Sequence, residues 1–233
     1  MCSSDLIERS IEANAFAQHV AINAAKIVAM RADPELRSVV EQCQIVSADG
    51  QSVVWASRLL GDPLPERVTG IDLMIELLAL AERRGLRVYI LGARADVLER
   101  ALQRIKARHP ALEIAGARDG YYAPEEEAEV AAAIGRANAD MLFVAMSSPK
   151  KELFLGRYGR TIDVPFVMGV GGTIDVLAGI TARAPRLWQV VGLEWLYRLL
   201  QEPRRLGRRY VSTNAAFIAL VARAMLQRAL ART

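Results

Sequence analysis

The chain alternates between short apolar runs and longer stretches in which apolar residues recur every three or four positions. The short runs predict buried strands, and the recurring positions predict amphipathic helices that cover them. Because helical stretches separate the runs, the pattern predicts an α/β protein with a mostly parallel sheet and helices on both faces. Strands are predicted at residues 16–22, 45–47, 87–91, 113–115, 141–146 and 165–169.

One stretch combines a strand, a tight turn and a helix within a few residues. The apolar run that begins at Ile45 ends in Ser47, and Asp49 and Gly50 follow before the helical pattern of residues 53–60. This order places Asp49 at the carboxyl end of a strand, where ligands bind in open α/β sheets. Asp49 is therefore the first candidate for a catalytic side chain. The alternative is that Asp49 is only the turn acid or helix N-cap that its position favours.

Other predicted strands also end in glycine, small polar or ionisable residues. Because parallel strands point the same way, these residues converge at one edge of the sheet. The Gly169-Val170-Gly171-Gly172-Thr173 loop would offer backbone amides to an anion, although it lacks the G-x-G-x-x-G spacing of a dinucleotide fingerprint. The converging residues are Asn23, Asp49, Gly92, residues 147–151 and residues 169–175.

Arg67 and Thr69 lie in a polar segment ahead of the predicted helix that ends at Arg84. A guanidinium beside a hydroxyl suits a phosphate or a sugar. The alternative is structural, since Thr69 or Asp72 also suits the N-cap of that helix. The sequence leaves both interpretations open.

Composition limits the class of protein. The 233 residues are 52% hydrophobic, which is enough for a substantial core. The two cysteines, Cys2 and Cys43, have no metal-ligand spacing, and this favours a reducing compartment. Neither a secretory signal segment nor a membrane-spanning apolar run is predicted.

The net charge of +4 is unevenly distributed. Residues 183–233 contain ten arginines, no lysine and two acidic residues, which is a net charge of +8, so the remainder carries −4. A cationic tail on a mildly acidic body indicates a phosphate-rich partner, such as an anionic membrane, a diphosphate ligand or nucleic acid. Nucleic acid fits less well, because aromatic residues are not interleaved along a basic groove.

The same tail carries an aromatic stripe. Residues 187–201 are predicted as one helix, followed by a second at residues 213–230 that arginines interrupt too often for it to span a bilayer. Tryptophans with arginines behind them suit a helix at a membrane interface, because indoles lie at the headgroup level. A core helix with a solvated arginine face would have the same pattern. The stripe consists of Trp188, Val191, Trp195 and Leu199.

Several common catalytic motifs are absent from the sequence. It contains no Walker loop, no H-E-x-x-H, no G-x-S-x-G, and no Asp-x-Asp pair that would hold a divalent ion against a diphosphate. No cofactor and no metal site is therefore predicted. If the substrate is a sugar nucleotide, positive side chains and amide dipoles would have to stabilise its leaving diphosphate.

Five ordered motifs run through the chain. They are Ser47-Ala48-Asp49-Gly50 with Ala56-Ser57-Arg58-Leu59-Leu60-Gly61, Arg67-Val68-Thr69-Gly70-Ile71-Asp72, Ser148-Pro149-Lys150-Lys151-Glu152, Gly169-Val170-Gly171-Gly172-Thr173-Ile174-Asp175, and Gly192-Leu193-Glu194-Trp195 continuing through Glu202-Pro203-Arg204-Arg205 to Arg209-Tyr210. Together they resemble the WecG/TagA/CpsF glycosyltransferases, glycosyltransferase family 26. The resemblance implies a Rossmann-like catalytic domain at residues 1–182 and a basic helical appendage for membrane association at residues 183–233.

The resemblance also implies an activity. It is an inverting, metal-independent hexosyl transfer from a UDP-sugar to a saccharide on polyprenyl diphosphate, in exopolysaccharide or cell-surface polysaccharide biosynthesis. Such an enzyme is cytoplasmic and peripheral on the inner face of the cell membrane, and the sequence leaves homo-oligomerisation open. No nucleic-acid partner is expected.

Residue roles follow from the same resemblance. Asp49 matches the general base that takes the proton of the acceptor hydroxyl. The residues predicted to bind substrate are Asn23, Arg67, Thr69, Gly92, Ser148, Lys151, Glu152, Gly171, Gly172, Thr173 and Asp175. The residues predicted to bind lipid phosphate or diphosphate are Arg198, Arg204, Arg205, Arg208 and Arg209.

Two positions depart from the family pattern, which often has threonine where this chain has Ala21 and glutamine where it has Lys151. The extra cation suggests a donor other than N-acetylmannosamine, such as glucose or an acidic sugar.

Two alternative functions come from other classes of protein. A dinucleotide-dependent Rossmann-type enzyme would need a glycine fingerprint that the first strand-helix turn lacks. A non-catalytic membrane-bound scaffold would not explain why Asp49 and the Gly171 loop should converge.

Overall fold

A computed structural model describes residues 3–201 and 203–231, except for the side chains of residues 3–5, 190, 198, 204–206, 208, 209 and 211. The strands of this part of the chain are β1 (Ala17–Ile22), β2 (Ile45–Ala48), β3 (Arg87–Gly92), β4 (Glu113–Arg118), β5 (Met141–Ala145) and β6 (Phe166–Gly169). All six had been indicated by apolar runs, and β4 extends three residues beyond its predicted end at residue 115.

The six strands form one parallel sheet in the order β2-β1-β6-β5-β3-β4. β6 lies between β1 and β5, so that Phe166 pairs with Ala17 on one side and Met141 on the other. Every residue of β5 is buried, as its uninterrupted apolar sequence requires. The predicted α/β, Rossmann-like fold is confirmed.

Helices connect the strands. Those in the described residues are α1 (Ser3–Glu12), α2 (Ala24–Ala32), α3 (Pro34–Glu41), α4 (Gln51–Leu59), α5 (Gly70–Arg84), α6 (Ala95–Arg108), α7 (Glu127–Arg136), α8 (Lys150–Tyr158), α9 (Thr173–Leu177), α10 (Arg186–Val190), α11 (Glu194–Gln201) and α12 (Pro203–Leu230). A short 3₁₀ turn, Pro124–Glu126, precedes α7.

The chain forms two compact units. The first unit contains most of the sheet, and α7 and α8 cover one of the sheet's faces with Val130 and Phe154, which pack near Leu142, Val144 and Val167. These five side chains are fully buried. The first unit consists of Met1–Ala21, Glu35–Ser47 and Thr69–Thr181.

The second unit has a smaller core. In it α2, α4 and α12 bring together the buried residues Ala24, Ala56 and Phe217, with Val53 and Val221 packed against them. The second unit consists of Ile22–Pro34, Ala48–Val68 and Ala182–Thr233. The C-terminal segment therefore groups with two earlier segments that the domain prediction left in the first domain. The division at residues 182 and 183 stays a prediction.

The prediction of one helix at residues 187–201 is wrong. The chain forms α10 and α11 instead, and Gly192 between them has φ 77°, a left-handed conformation that ends a helix readily at glycine. The second predicted helix starts ten residues earlier than expected, at Pro203. Proline lacks an N–H, but the first turn of a helix does not need one. The cationic residues 204–209 therefore belong to α12 and do not form a loop between two helices.

Candidate active site

The turn that carries Asp49 is held by backbone hydrogen bonds within the second unit. The N–H groups of Asp49 and Gly50 donate to the Ile22 carbonyl, at 2.9 and 3.3 Å. The Val68 N–H donates to the Ala48 carbonyl at 3.0 Å. These bonds join residues 22–23, 48–51 and 67–68, which we call the Asp49 cluster. The cluster unites three predicted site residues, namely Asn23, Asp49 and Arg67.

Asp49 is half-buried. The N-cap position of α4 is Gly50, so Asp49 lies one residue before the cap. The alternative that Asp49 is only the acid of this turn stays an interpretation. Asn23 does have a capping role, because its Oδ1 accepts a hydrogen bond from the Lys26 N–H at 3.0 Å. A Cβ on Gly50 would lie 3.2 Å from the Cβ of Asn23. The two strand ends are therefore closely packed.

Arg67 forms an ion pair with Glu194, the first residue of α11. Its Nη2 donates to Glu194 Oε2 at 3.3 Å, and the side chains are only 15% and 9% exposed. A carboxylate in the first turn of a helix is also favoured by the helix dipole. The C-terminal segment therefore contributes a charge to the Asp49 cluster. Glu194 lies in the fifth sequence motif, but no role had been predicted for it.

Gly192 provides a second contact between the C-terminal segment and this cluster. A Cβ on Gly192 would lie 2.5 Å from the Cγ of Gln51, so the close approach requires glycine. Gln51 is the first residue of α4 and follows Asp49 by two positions. The turn between α10 and α11 is thus packed directly beside the residues that carry Asp49.

Thr69, in the first unit, caps α5. Its Oγ1 accepts from the Asp72 N–H at 3.1 Å and donates to Asp72 Oδ2 at 2.6 Å. Thr69 is buried, with 4% of its surface exposed. The structural alternative for Thr69 is therefore confirmed. Its predicted contact with substrate stays a prediction.

A second group of predicted residues surrounds Lys151 in the first unit. The Nζ of Lys151 forms an ion pair with Glu152 Oε1 at 2.9 Å, and both side chains are buried. The aliphatic part of Lys151 crosses Gly169, where a Cβ would lie 2.9 Å from its Cδ. The Nζ reaches Gly171, where a Cβ would lie 3.9 Å away. We call Lys151, Glu152, Gly169 and Gly171 the Lys151 cluster.

The turn after β6 continues with Gly172, Thr173 and Asp175. Thr173 Oγ1 donates to the Val170 carbonyl at 2.8 Å and is buried, so this hydroxyl closes the turn. Gly172 is exposed, and a Cβ there would lie 3.4 Å from Asp175 Oδ2. Gly172 and Asp175 are thus adjacent, whereas Thr173 points into the protein.

Gly92 and Ser148 differ in their surroundings. Gly92 ends β3 with φ 124°, and a Cβ there would lie 2.5 Å from the Ala145 carbonyl carbon and oxygen, so packing against β5 alone demands glycine. Ser148 is exposed in the turn before α8. Their substrate roles stay predictions.

Three residues at or just after the carboxyl end of β4 were missed by the motif analysis, namely Arg118, Tyr121 and Tyr122. Lys150 Nζ lies 4.3 Å from the ring centre of Tyr122, and Arg118 Cζ lies 5.7 Å from it. Burial raises the pKa of Tyr122 to about 12, so the phenol stays protonated. Tyr121, beside it, is 75% exposed. The available signal was the Gly120-Tyr121-Tyr122 sequence, which follows a predicted strand as Asp49 does.

The aromatic stripe of the tail is only partly buried. Trp188 packs edge-on against Tyr197, and Trp195 packs likewise against Tyr210. Trp195 nevertheless remains 40% exposed. Leu187, Val191 and Leu200 are also exposed, as in a helix at an interface. The side chains of the predicted phosphate-binding residues lie outside the described part of the structure; these are Arg198, Arg204, Arg205, Arg208 and Arg209.

Two further properties bear on the type of site. Among the described residues, no three His, Cys, Asp or Glu side chains are grouped as ligands for a metal ion. Over residues 3–201 and 203–231, no helix has both the length and the hydropathy needed to cross a membrane.

A parallel six-stranded sheet with helices between its strands defines an α/β protein of the Rossmann-like class. Comparison with known families identifies its family. Residues 3–231 match the model of the "Glycosyl transferase WecG/TagA/CpsF family", and the chain belongs to this family. It is therefore a transferase that takes a sugar donor and an acceptor.

Proposed function

We propose that this protein is an inverting, metal-independent hexosyltransferase. It moves a sugar from a UDP-sugar to a saccharide carried on polyprenyl diphosphate, in exopolysaccharide or cell-surface polysaccharide biosynthesis. The observation that carries the proposal is Asp49, a half-buried carboxylate at the carboxyl end of β2, on a turn that backbone hydrogen bonds hold in place. Membership of a glycosyltransferase family supplies the reaction class.

Asp49 is the proposed general base. Its carboxylate accepts the proton of the acceptor hydroxyl while that oxygen attacks the anomeric carbon, and the bond to the nucleoside diphosphate breaks on the opposite face. A positioned base of this kind contributes about 10²- to 10⁴-fold to the rate. The hydrogen bonds from Asp49 and Gly50 to Ile22 support this role, because they limit the motion of the turn.

The Lys151 cluster is the proposed binding site for the donor. Gly171 and Gly172 let a ligand approach the backbone closely, and Tyr121 offers an exposed aromatic face on which a base can stack. Lys151 is already paired with Glu152, so it brings no uncompensated positive charge. This pairing removes the reason to expect an acidic sugar, and a neutral hexose such as glucose is the proposed donor.

The cationic C-terminal segment is the proposed site for the diphosphate and the lipid. Arginines suit this task because a guanidinium binds phosphate in a bidentate manner. The candidates are Arg198, Arg204, Arg205, Arg208 and Arg209, together with Arg67. The exposed Leu187, Val191, Trp195 and Leu200 would enter the interface of an anionic membrane. The enzyme would thus act at the cytoplasmic face of the membrane while remaining peripheral.

The test is direct. The purified full chain is incubated with a panel of UDP-sugars, including glucose, glucuronic acid and N-acetylmannosamine derivatives, and a short-chain polyprenyl diphosphate saccharide, and the products are identified by mass. We expect transfer from a neutral hexose donor, and the anomeric configuration of the product, read by NMR, should be inverted. Transfer from N-acetylmannosamine alone would refute the donor assignment. Absence of transfer from every UDP-sugar would refute the proposed function.

A further inference from the structure

The buried ion pair between Arg67 and Glu194 joins the loop beside Asp49 to the start of α11. The two residues are 127 positions apart, and both side chains are largely buried. Removing two charges from water is costly, and a buried pair is weak evidence for stability alone. We infer that Glu194 is a positioning residue, which orients the guanidinium of Arg67 toward a diphosphate group of the substrate.

The location of Arg67 supports this inference. The N–H of the next residue, Val68, bonds to the carbonyl of Ala48, the residue that precedes Asp49. Arg67 is therefore attached to the turn that carries the proposed base. A diphosphate bound by Arg67 would therefore lie near the turn that carries Asp49. A sugar transfer needs charged side chains near the reacting groups.

The chemistry of arginine explains why a partner is useful. A guanidinium has five N–H donors in a rigid plane, so it can bind a carboxylate on one edge and a phosphate on another. A long side chain without a partner would lose rotamer freedom on binding the phosphate. Glu194 fixes one edge in advance, and the remaining donors keep a defined direction.

The same bond makes the C-terminal segment part of the site. Glu194 begins α11, and Gly192, two residues earlier, lies against Gln51 at the start of α4. With α11 in this position, Glu194 at its first residue orients the guanidinium of Arg67. The inference takes the identity of the substrate from the proposed function, but the binding experiment that tests it does not require sugar transfer.

The first experiment measures binding without turnover. Calorimetry is carried out on the full chain with two probes, UDP and geranyl diphosphate, which stand for the donor and the lipid-linked acceptor. We expect Arg67→Ala and Glu194→Ala each to weaken binding of one probe by about 10- to 100-fold, as loss of a charged hydrogen bond does. The double variant should be no weaker than either single one, because the two residues act as a unit. The affected probe identifies the diphosphate that Arg67 holds.

Two further variants separate positioning from folding. Glu194→Gln keeps a hydrogen-bond acceptor for Arg67, so it should recover most of the affinity that Glu194→Ala loses. The exchange Arg67→Glu with Glu194→Arg should recover the melting temperature of the wild type but not diphosphate binding. The matched control is Asp62→Ala, which removes an exposed ion pair with Arg228 in the same unit and should leave both properties unchanged.

Three outcomes would overturn the inference. They are wild-type affinity in Glu194→Ala, independent and multiplying losses in the double variant, or full binding by the charge-exchanged protein. Each would leave Glu194 as a structural brace. Absence of sugar transfer in the wild type, with the binding pattern as expected, would instead contradict the proposed function and leave the role of Glu194 intact.

Discussion

The two units of this protein differ in charge and in what they expose. The first unit has 16 lysine and arginine residues against 20 acidic ones, whereas the second has 14 against 6. Of the 15 large hydrophobic residues that are exposed in the described part of the chain, 11 belong to the second unit. The first unit thus buries most of its large apolar residues, whereas the second unit exposes apolar and cationic groups to solvent.

This difference indicates a division of tasks. An acidic unit with fully buried strands supplies a rigid frame for strand-end loops, such as that of the Lys151 cluster. A cationic unit with exposed apolar residues is suited to a partner that is itself anionic and apolar, and a lipid-linked diphosphate has both properties. Asp49 belongs to the second unit, which places the proposed base with the groups proposed to meet the acceptor.

The largest effect should come from Asp49→Asn. Asparagine keeps the shape of the side chain but cannot accept the proton, so kcat should fall about 10²- to 10⁴-fold. UDP affinity, measured by calorimetry, should be nearly unchanged, because the proposed role of Asp49 is to accept a proton from the acceptor and not to bind UDP. Asp62→Asn, in the same unit and exposed, serves as control and should retain full activity. Normal turnover by Asp49→Asn would show that Asp49 is not the general base. The proposed division of tasks between the two units would then be wrong.

Much of the frame was predictable from the sequence, and the reasons are local. A short, uninterrupted apolar run such as residues 141–146 favours a buried strand. Thr69 and Gly85 cap α5 as their residue types favour. The Arg67–Glu194 pair could not be predicted, because periodicity carries no information on contacts 127 residues apart. The break at Gly192 was missed for a related reason, since its cause is the approach of Gln51 from a distant segment.

A second prediction tests the ion pair of the Lys151 cluster. Glu152→Gln would remove the carboxylate that lies 2.9 Å from the buried ammonium of Lys151, and the free energy of unfolding should fall by about 3–5 kcal/mol. The double variant Lys151→Met with Glu152→Leu should be less destabilised than the single one, because no buried charge remains. The measurement is urea denaturation. The exposed pair Arg37–Glu41, 63% and 57% exposed, is the control, and Glu41→Gln should cost about 0.5 kcal/mol or less.

If Glu152→Gln were as harmless as Glu41→Gln, the Lys151 cluster would be solvated rather than buried. The first unit would then not be a rigid, water-excluding support for the proposed donor site.

A third prediction concerns the close packing of β3 on β5. Gly92→Ala would place a Cβ 2.5 Å from the Ala145 backbone at φ 124°, and the free energy of unfolding should fall by about 3 kcal/mol. Gly85→Ala is the matched control, since its φ is 63° but no atom lies within 4 Å of the added Cβ. It should cost about 1 kcal/mol, the strain of the left-handed conformation alone. Equal losses in the two variants would show that packing at the end of β3 is loose.

A fourth prediction tests the exposed apolar surface of the second unit. The double variant Leu187→Ser with Leu200→Ser should bind vesicles that contain phosphatidylglycerol about tenfold more weakly than the wild type, because two exposed leucines no longer enter the interface. Tyr121→Ser, in the first unit, should bind as the wild type does. Cosedimentation at two salt concentrations is the measurement, and added salt should weaken binding by both proteins. Equal binding to vesicles of phosphatidylcholine alone would contradict the role given to the arginines.

The smallest effect is a pH dependence confined to the first unit. Glu82 accepts from the Ala111 N–H and lies 2.7 Å from His109 Nδ1, and these contacts lower the pKa of Glu82 below its usual 4.5, with the His109 hydrogen bond as the largest cause. A carboxyl with a lowered pKa in the folded state stabilises the fold above its unfolded pKa, and that stabilisation is lost as pH falls. Wild type should therefore exceed Glu82→Gln in urea midpoint at pH 7, and the gap should close below about pH 4.5. A gap that widened in acid would mean that the hydrogen bonds to Glu82 do not form, and that this carboxylate is solvated.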